Sequence, residues 1–304
     1  MSYRLLSYQS TDGPRAGIAV GERVFDAQGA TGRADYASVL GILNDWPAAQ
    51  MLLRAAAAQI GAAQGSDLAD AQLLAPVLYP SAIYCAGANY TDHVVNMCKR
   101  LGIEPDPDPH TLGLNPWHFL KAARATVVGH GARVSLASVN MDWEAELALV
   151  IGTTARDLPL ERALDCVAGY TIGNDLSARD LARRPHIAET SPFKYDWIGQ
   201  KNFDGACPLG PWIVPAADVG DPQNLSIKLW VNGVLKQNSS TRHMIFTAAE
   251  QIAYLSARIT LYPGDIILTG TPAGVGAERG EFLSRGDEVR ITIERVGELV
   301  TTIV

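Results

Sequence analysis

The sequence has few cysteines, and they form no pattern typical of a metal cluster or a disulfide framework. The four cysteines among 304 residues stand singly, with no Cys-x-x-Cys pair. Structural zinc sites typically use paired cysteines, and disulfide-rich secreted folds carry many cysteines in a short chain. The cysteines therefore favour a reducing environment, and we expect a cytoplasmic protein.

Long apolar runs and an excess of basic charge are also missing. No run approaches the roughly 20 apolar residues that span a bilayer, and the N-terminus MSYRLLSYQS has no basic segment followed by an apolar one. The formal net charge is -7, from 25 basic and 32 acidic side chains. A net negative charge gives the chain as a whole no electrostatic attraction to phosphate backbones or anionic lipids. We expect neither a nucleic-acid partner nor a membrane.

The remaining composition is that of a globular protein, 47% hydrophobic and 19% charged. Residues 3–26 are typical of short strands separated by turns, and the Ala-rich tract 48–64 has the composition of a helix. Prolines 76 and 80 then break the pattern. The sequence predicts a small N-terminal α/β module at 1–75 and a larger domain at 76–304.

The larger domain is predicted to be mainly β, which makes the whole chain α+β. Short apolar segments broken by glycine and proline are typical of strands; they are Ile83 to Gly87, Glu144 to Ile151, Leu225 to Val231, Asp265 to Leu268 and Glu288 to Ile293. Asn232-Gly233 predicts a two-residue hairpin, and Thr247 with Glu250 predicts a capping box that opens a helix. The irregular segments 99–116 and 181–200 are predicted lids.

A pair of carboxylates on one predicted strand is the first candidate for chemistry. Strand alternation places Glu144 and Glu146 on one face, which continues as Ala148 and Val150. A solvated face is the ordinary explanation, but the apolar continuation favours a buried pair that a cation would neutralise. Asp175 ends another apolar segment, where a turn residue is equally expected. Three carboxylates would suit Mg²⁺, Mn²⁺ or Ca²⁺ better than zinc.

Four ordered motifs resemble the fumarylacetoacetate hydrolase family: MDWEAELALVIG, GNDLSARD, QKNFDGACPLGPWIV and GDIILTGTPAGVG. The resemblance covers about residues 80–300. It implies a mixed β-sheet roll, a homodimer, and Mg²⁺ or Mn²⁺ held by Glu144, Glu146 and Asp175. It also implies a small 2-oxo acid or β-dicarbonyl substrate from aromatic or sugar-acid breakdown.

The resemblance also implies two catalytic residues. His93 matches the histidine that deprotonates water in the family, and Lys201 matches a lysine that faces the substrate. A lone histidine is more often structural, and a loop lysine is more often a solvated cation. Many relatives carry a glutamate three residues after the histidine, where this chain has Asn96, so we considered Glu104 on the predicted lid as the substitute.

Three further residues are candidate substrate ligands. Arg179 could clamp a substrate carboxylate, although Asp180 beside it favours a structural ion pair equally. Thr271 and the backbone amides of the Gly270 to Gly276 loop could hold the same group, unless the loop is only a turn. This loop lacks the Gly-Lys-Ser/Thr ending of a nucleotide-binding loop. Lys121 matches a family lysine at a strand end.

The sequence-based hypothesis is a metal-dependent hydrolase that cleaves a C–C bond in an acylpyruvate or related 2,4-dioxo acid. Isomerisation or decarboxylation of a 2-oxo or 2-hydroxy-dienoic diacid is the alternative, because Asn96 removes the usual partner of the histidine. A catalytically silent binding relative is a third hypothesis. The intact carboxylate trio argues against it.

Overall fold

Strands dominate the computed structural model, which describes residues 2–59 and 65–304. The strands are β1 Arg4–Ser10, β2 Gly13–Val20, β3 Arg23–Asp26, β4 Ser66–Asp67, β5 Ile83–Ala86, β6 His118–Lys121, β7 Val127–Val128, β8 Ala132–Val134, β9 Met141–Asp142, β10 Ala145–Ile151, β11 Val167–Asn174, β12 Ser177–Ala178, β13 Cys207–Pro215, β14 Ser226–Val231, β15 Val234–Ser240, β16 Ile266–Leu268, β17 Glu288–Ile293 and β18 Gly297–Ile303. The helices are α1 Ala27–Thr31, α2 Val39–Asn44, α3 Trp46–Gln59, α4 Thr91–Leu101, α5 Ala123–Thr126, α6 Trp197–Lys201, α7 Ala216–Val219, α8 Ala248–Ser256 and α9 Gly276–Arg279. The fold is α+β and mainly β, as predicted.

Two large sheets and a two-stranded sheet, β12-β9, organise these strands. The larger sheet runs β4-β3-β2-β1-β13-β11-β10-β16-β5-β6, with β7 attached to β13, and the smaller runs β15-β14-β17-β18-β8. Most neighbours are antiparallel, but β16 and β5 are parallel, with Ile266 opposite Ile83. The segments that follow β5 and β16 therefore emerge at the same edge of the larger sheet.

The N-terminal segment is built into the larger sheet. Strand β1 pairs with β13 through Leu5 and Ile213, and both side chains belong to one hydrophobic cluster. Helix α3 confirms the predicted helix as far as Gln59; the rest of that prediction, Ile60 to Gln64, lies outside the described residues. The boundary at residue 75 stays a prediction, and the segment before it shares its core with the rest of the chain.

Strand β10 lies between two hydrophobic clusters, which confirms the predicted alternation. Leu147 and Leu149 belong to one cluster, and Ala148 and Val150 belong to the other. The face that carries Glu146 thus continues into a dry core, so its carboxylate lies at the edge of a buried surface.

The local turn and cap predictions are also confirmed. Asn232 and Gly233 join β14 to β15 with φ of 49° and 76°, the left-handed backbone that a two-residue hairpin requires. Thr247 and Glu250 exchange the hydrogen bonds of a capping box at the start of α8. Within the two described ranges, no helix combines the length and apolar character needed to cross a membrane.

Candidate active site

Two antiparallel strands bring the three predicted carboxylates together. Glu144 lies directly before β10 and Glu146 lies within it, while Asp175 follows the last residue of β11. In this register Ala145 is opposite Asn174, and the Asp175 amide donates to the Glu144 carbonyl at 2.9 Å. The three side chains are buried, and one carboxylate oxygen from each lies within 4.8 Å of those of the other two.

The arrangement of these oxygens fits a divalent cation. Buried carboxylate oxygens are the hard ligands that Mg²⁺ and Mn²⁺ prefer. Glu146 receives one hydrogen bond, from the Gly270 amide at 2.5 Å. Asp175 Oδ1 lies 2.6 Å from Lys121 Nζ but has no aligned hydrogen bond, because the lysine donates to the carbonyls of Leu176 and Lys201. Asp175 Oδ1 is thus a buried oxygen of the trio without a hydrogen-bond partner.

Two further cations contact oxygens of Glu144 and Asp175. Lys201 Nζ lies 2.6 Å from Asp175 Oδ2 and 3.1 Å from Glu144 Oε2. Arg179 bridges Asp142, at 2.9 Å, and Glu144. All of these groups are largely shielded from water, so the attraction within each ion pair is stronger than in a surface pair. Removal of one partner would leave a buried charge uncompensated.

Burial and charge act in opposite directions on the trio. Burial opposes the charge of Glu144, but Lys201 and Arg179 hold the pKa of its carboxyl below the ordinary value. Burial, reinforced by the charges of Asp175 and Glu144, raises the pKa of Glu146 well above the ordinary value. Glu146 is therefore the carboxylate that most needs an added cation.

Helix α4 presents His93 to the same region. His93 Nδ1 lies 2.7 Å from Glu278 Oε1, a residue of α9 that is 185 positions away in the sequence. The second oxygen of Glu278 accepts from the Gly274 amide at 2.7 Å and from Asn96 Nδ2 at 3.2 Å. The imidazole therefore has a carboxylate partner despite Asn96.

One cavity of about 120 Å³ connects the imidazole to the acidic centre. His93, Glu144, Lys201 and Thr271 are among the residues that line it. The volume lies well below the ~300 Å³ lower limit of sites for drug-sized ligands, so it suits a small metabolite.

An aromatic wall borders this cavity. The rings of Trp117, Phe119 and Trp197 lie 5.3–5.9 Å apart in pairs. Gly87 makes room for this wall, because a Cβ at that position would lie 1.7 Å from the Trp117 ring. No sequence motif indicated the wall, since its members come from segments 80 positions apart.

The surroundings of four predicted site residues differ from those expected; these are Glu104, Lys121, Arg179 and Thr271. Glu278 occupies the place beside His93 that was considered for Glu104, and Glu104 is exposed on the segment after α4. Lys121 is buried against Asp175 and is not among the residues that line the cavity.

Arg179 and Thr271 line the cavity, but their polar groups are engaged within the protein. The Arg179 guanidinium is committed to Asp142 and Glu144, and its predicted pair with Asp180 is replaced by these contacts. The Thr271 hydroxyl donates to the Ala145 carbonyl at 2.9 Å. The Thr271 hydroxyl donor is therefore used, while Arg179 engages its acidic partners through Nε and Nη2. Both residues can still shape a substrate site.

The mainly β fold and the buried acidic trio define a metalloenzyme class. The family model described as "Fumarylacetoacetate (FAA) hydrolase C-terminal" matches residues 82–304. The chain belongs to the fumarylacetoacetate hydrolase family. Because the match covers most of the chain and includes every predicted site residue, it confirms the resemblance that the sequence motifs indicated.

Three relatives show the range of activities in the family. The chain is 39% identical over 255 residues to the human protein named oxaloacetate tautomerase FAHD2B, mitochondrial, covering 83% of this chain and 74% of that protein. A maleylpyruvate hydrolase from Sphingobium sp. SYK-6, in complex with manganese(II) and pyruvate, has a TM-score of 0.74 and 30% identity over 99% of this chain and 98% of that one. A 2-hydroxyhepta-2,4-diene-1,7-dioate isomerase from Mycobacterium marinum has a TM-score of 0.68 and 31% identity over 100% and 98%. The chain is an enzyme of this family with a divalent-metal site.

Proposed function

We propose that the chain is a Mg²⁺- or Mn²⁺-dependent hydrolase that cleaves a C–C bond in a short acylpyruvate or related 2,4-dioxo acid. The observation that carries this proposal is the shared cavity, which places the His93 imidazole and the Glu144 carboxylate around one small space. The similarity to a maleylpyruvate hydrolase in complex with manganese(II) and pyruvate supports the choice of metal and substrate class.

The metal and the protein residues would share the chemistry. When bound by Glu144, Glu146 and Asp175, the cation would polarise the 2-oxo group and stabilise the negative charge that develops on its oxygen. His93 would take a proton from water, which adds to the distal carbonyl carbon. The bond between that carbon and C3 then breaks, and C3 regains a proton, so the products are a carboxylic acid and pyruvate. Lys201, which also lines the cavity, would orient the substrate.

The cavity limits the substrate. Its volume of about 120 Å³ favours an acid of few carbons, and the wall of Trp117, Phe119 and Trp197 favours an apolar distal group. Of the basic side chains that line the cavity, His93, Arg179 and Lys201 all have acidic partners within the protein. A second carboxylate on the substrate would therefore have to compete for one of them.

Tautomerisation of oxaloacetate is the second candidate function. The 39% identity to a protein named as an oxaloacetate tautomerase favours it, and the small cavity suits a four-carbon acid. This reaction requires only that a proton leave and return at C3, and His93 could carry out both steps.

Product analysis separates the two functions. Metal-free protein is incubated with acylpyruvates of increasing acyl length and with enolic oxaloacetate, before and after addition of Mg²⁺ or Mn²⁺. Hydrolysis gives pyruvate and a second acid, tautomerisation leaves the mass unchanged, and decarboxylation releases CO₂. We expect metal-dependent formation of two fragments from acylpyruvates.

Three results would contradict the proposal. Cleavage that survives complete removal of divalent ions would exclude the metal centre from the reaction. Rapid tautomerisation without any cleavage would replace the leading function by the second one. A protein that never takes up a divalent cation during purification without chelator would favour the silent-relative hypothesis.

A further inference from the structure

The side chain of Gln200 lines the active-site cavity and is not hydrogen-bonded within the described protein. The residue is only 8% exposed and belongs to the same lining as His93 and Lys201. In residues 2–59 and 65–304, no backbone or side-chain group hydrogen-bonds to its amide oxygen or nitrogen. One acceptor oxygen and two N–H donors therefore remain for a molecule in the cavity.

The other polar side chains around this space are used differently. His93 and Lys201 are both paired with carboxylates. The Thr271 hydroxyl donates to the Ala145 carbonyl and accepts from Gln237, at 2.9 Å in each case. Among the described lining residues, Gln200 is thus the neutral side chain that offers both an unused donor and an unused acceptor. An amide shielded from water gains most from a ligand that can use these groups.

The helix that carries Gln200 is held at both ends. At its start, the Asp196 carboxylate accepts from the Gly199 amide at 2.8 Å, and the Asp196 carbonyl accepts from the Gln200 backbone N–H at 3.0 Å. At its end, the Lys201 carbonyl accepts from Lys121 Nζ at 2.7 Å. The backbone at Gln200 is therefore in place before a ligand binds, which lowers the entropic cost of using its side chain.

Gln200 lies beside the aromatic wall of Trp117, Phe119 and Trp197. Trp197 precedes it by three positions in α6, and residues at this spacing share one face of a helix. All three aromatic residues and Gln200 line the cavity. In the proposed function, the distal part of the substrate lies against this wall. The rings would then contact its carbon atoms, while the amide binds a polar atom among them.

We propose that Gln200 selects substrates whose distal acyl group carries a hydroxyl. A hydroxyl both donates and accepts, so it can pair with either atom of the amide. A methyl group in the same place would leave the shielded amide unpaired. A carboxylate only accepts, and the basic side chains of the cavity already have acidic partners, so its charge would be poorly balanced. This role of Gln200 rests on the proposed function, whose substrate class it narrows to hydroxyacylpyruvates.

Three 2-oxo acids of equal length measure this selectivity without any reaction. The ligands are 2-oxohexanoate, 5-hydroxy-2-oxopentanoate and 2-oxoglutarate, which end in a methyl, a hydroxyl and a carboxylate group and lack the 4-oxo group needed for cleavage. Each is titrated calorimetrically into the full-length protein loaded with Mn²⁺. We expect the hydroxy acid to bind with a Kd about 2- to 12-fold below that of the methyl ligand, the effect of one hydrogen bond, and below that of 2-oxoglutarate as well.

Substitution of Gln200 separates the effect of the amide from the shape of the cavity. Gln200→Leu keeps a side chain of similar size without hydrogen-bonding groups, and it should remove the preference for the hydroxyl ligand over the methyl one. Gln200→Glu can still accept from a hydroxyl, so it should keep that preference and weaken 2-oxoglutarate further by like-charge repulsion. The matched control is Gln50→Leu, the same change at an exposed position of α3, which should leave all three Kd values unchanged.

Cleavage provides a second measurement. Glycoloylpyruvate and propanoylpyruvate have the same length and differ only in a terminal hydroxyl or methyl group. We expect KM to be lower for the glycoloyl substrate in the wild type and in Gln50→Leu, and equal for both substrates in Gln200→Leu. The values of kcat should stay similar, because the amide binds a part of the substrate that does not react.

Several results would overturn this role of Gln200. They are a wild type that binds the methyl ligand or 2-oxoglutarate as tightly as the hydroxy acid, a wild type that binds none of the three, and a folded Gln200→Leu protein that keeps the wild-type ratio of Kd values. Selective binding of the hydroxy acid without cleavage of either acylpyruvate would instead contradict the proposed function and leave the role of Gln200 intact.

Discussion

Metal binding is expected to release one proton from Glu146. Among the described side chains at the acidic centre, four carboxylates face three cations; they are Asp142, Glu144, Glu146 and Asp175 against Lys121, Arg179 and Lys201. Glu146 is the carboxylate without a cation of its own, and its hydrogen bond comes from the Gly270 amide. Its pKa is raised first by burial and then by Asp175 and Glu144. Below that raised pKa, the metal-free protein keeps a proton on Glu146 that a cation must displace.

The raised pKa of Glu146 determines the direction and size of the pH dependence of metal binding. Below the folded-state pKa of Glu146, the Kd for the metal should rise about tenfold for each unit that the pH falls, or about 1.4 kcal/mol per unit. The unfolded chain ionises Glu146 at the ordinary value of 4.5. Between pH 4.5 and the folded-state pKa, the unfolded chain releases this proton more readily than the folded chain does. The free energy of unfolding of the metal-free protein therefore falls as the pH rises through this interval. The stabilisation by metal should grow over the same interval.

Isothermal titration calorimetry measures the number of protons released when the metal binds. Mn²⁺ is titrated into chelator-treated full-length protein in two buffers with different enthalpies of ionisation, and the difference in heat gives the number of protons released. Glu146→Gln should remove both the proton and the pH dependence of the affinity. Glu281→Gln, a change of the same kind at a half-exposed carboxylate, should alter neither. Binding to the wild type without proton release, at a Kd independent of pH, would refute the charge count.

Three further predictions test the surroundings of the site. Replacing Lys201 by Met removes the cation that Glu144 and Asp175 share and leaves them only Arg179 and Lys121. The free energy of unfolding, measured in urea titrations of metal-free protein, should fall by about 3 kcal/mol, and Mn²⁺ should partly restore it. An unchanged urea midpoint would show that the two carboxylates do not depend on this lysine. Trp117→Ala should raise KM for acylpyruvates with larger apolar groups by roughly two- to twelvefold, corresponding to about 0.5–1.5 kcal/mol, but not KM for pyruvate-sized substrates; an equal change for all substrates would contradict a distal site. Gly233→Ala places a side chain at a φ of 76° in the hairpin and should cost about 1–2 kcal/mol of stability, with kcat unchanged as the sign that the hairpin is separate from the site.

The sequence was most informative where local periodicity determines the outcome. The alternation that placed Glu144 and Glu146 on one face needs only the geometry of a single strand, and two hydrophobic clusters confirm it. Asp175 could not be placed in the same way. Its distance from Glu144 depends on the register between β10 and β11, which the residues of either strand alone do not specify.

The environments of the cations were predicted less well, because charge balance is a property of the whole buried centre. Arg179 was considered as a substrate clamp or as the partner of Asp180, but the buried Asp142 is a stronger attraction because little water screens it. From the sequence alone, Asp142 is one residue of the motif MDWEAELALVIG and has no assigned role. Its role becomes visible once the backbone amides of Gly276 and Ala277 are seen to converge on its carboxylate.

The contact between His93 and Glu278 shows how a substitution within a motif can be compensated from another segment. Strands β5 and β16 are parallel neighbours, so the chain that continues into α4 and the chain that continues into α9 leave the sheet at one edge. Glu278, in the single turn of α9, can then approach the imidazole, whereas residue 96 decides only whether a partner comes from the helix itself. A neutral residue at position 96 therefore does not exclude a histidine–carboxylate pair. In chains of this fold with such a residue, the partner should be sought in the segment that follows the strand paired with β5.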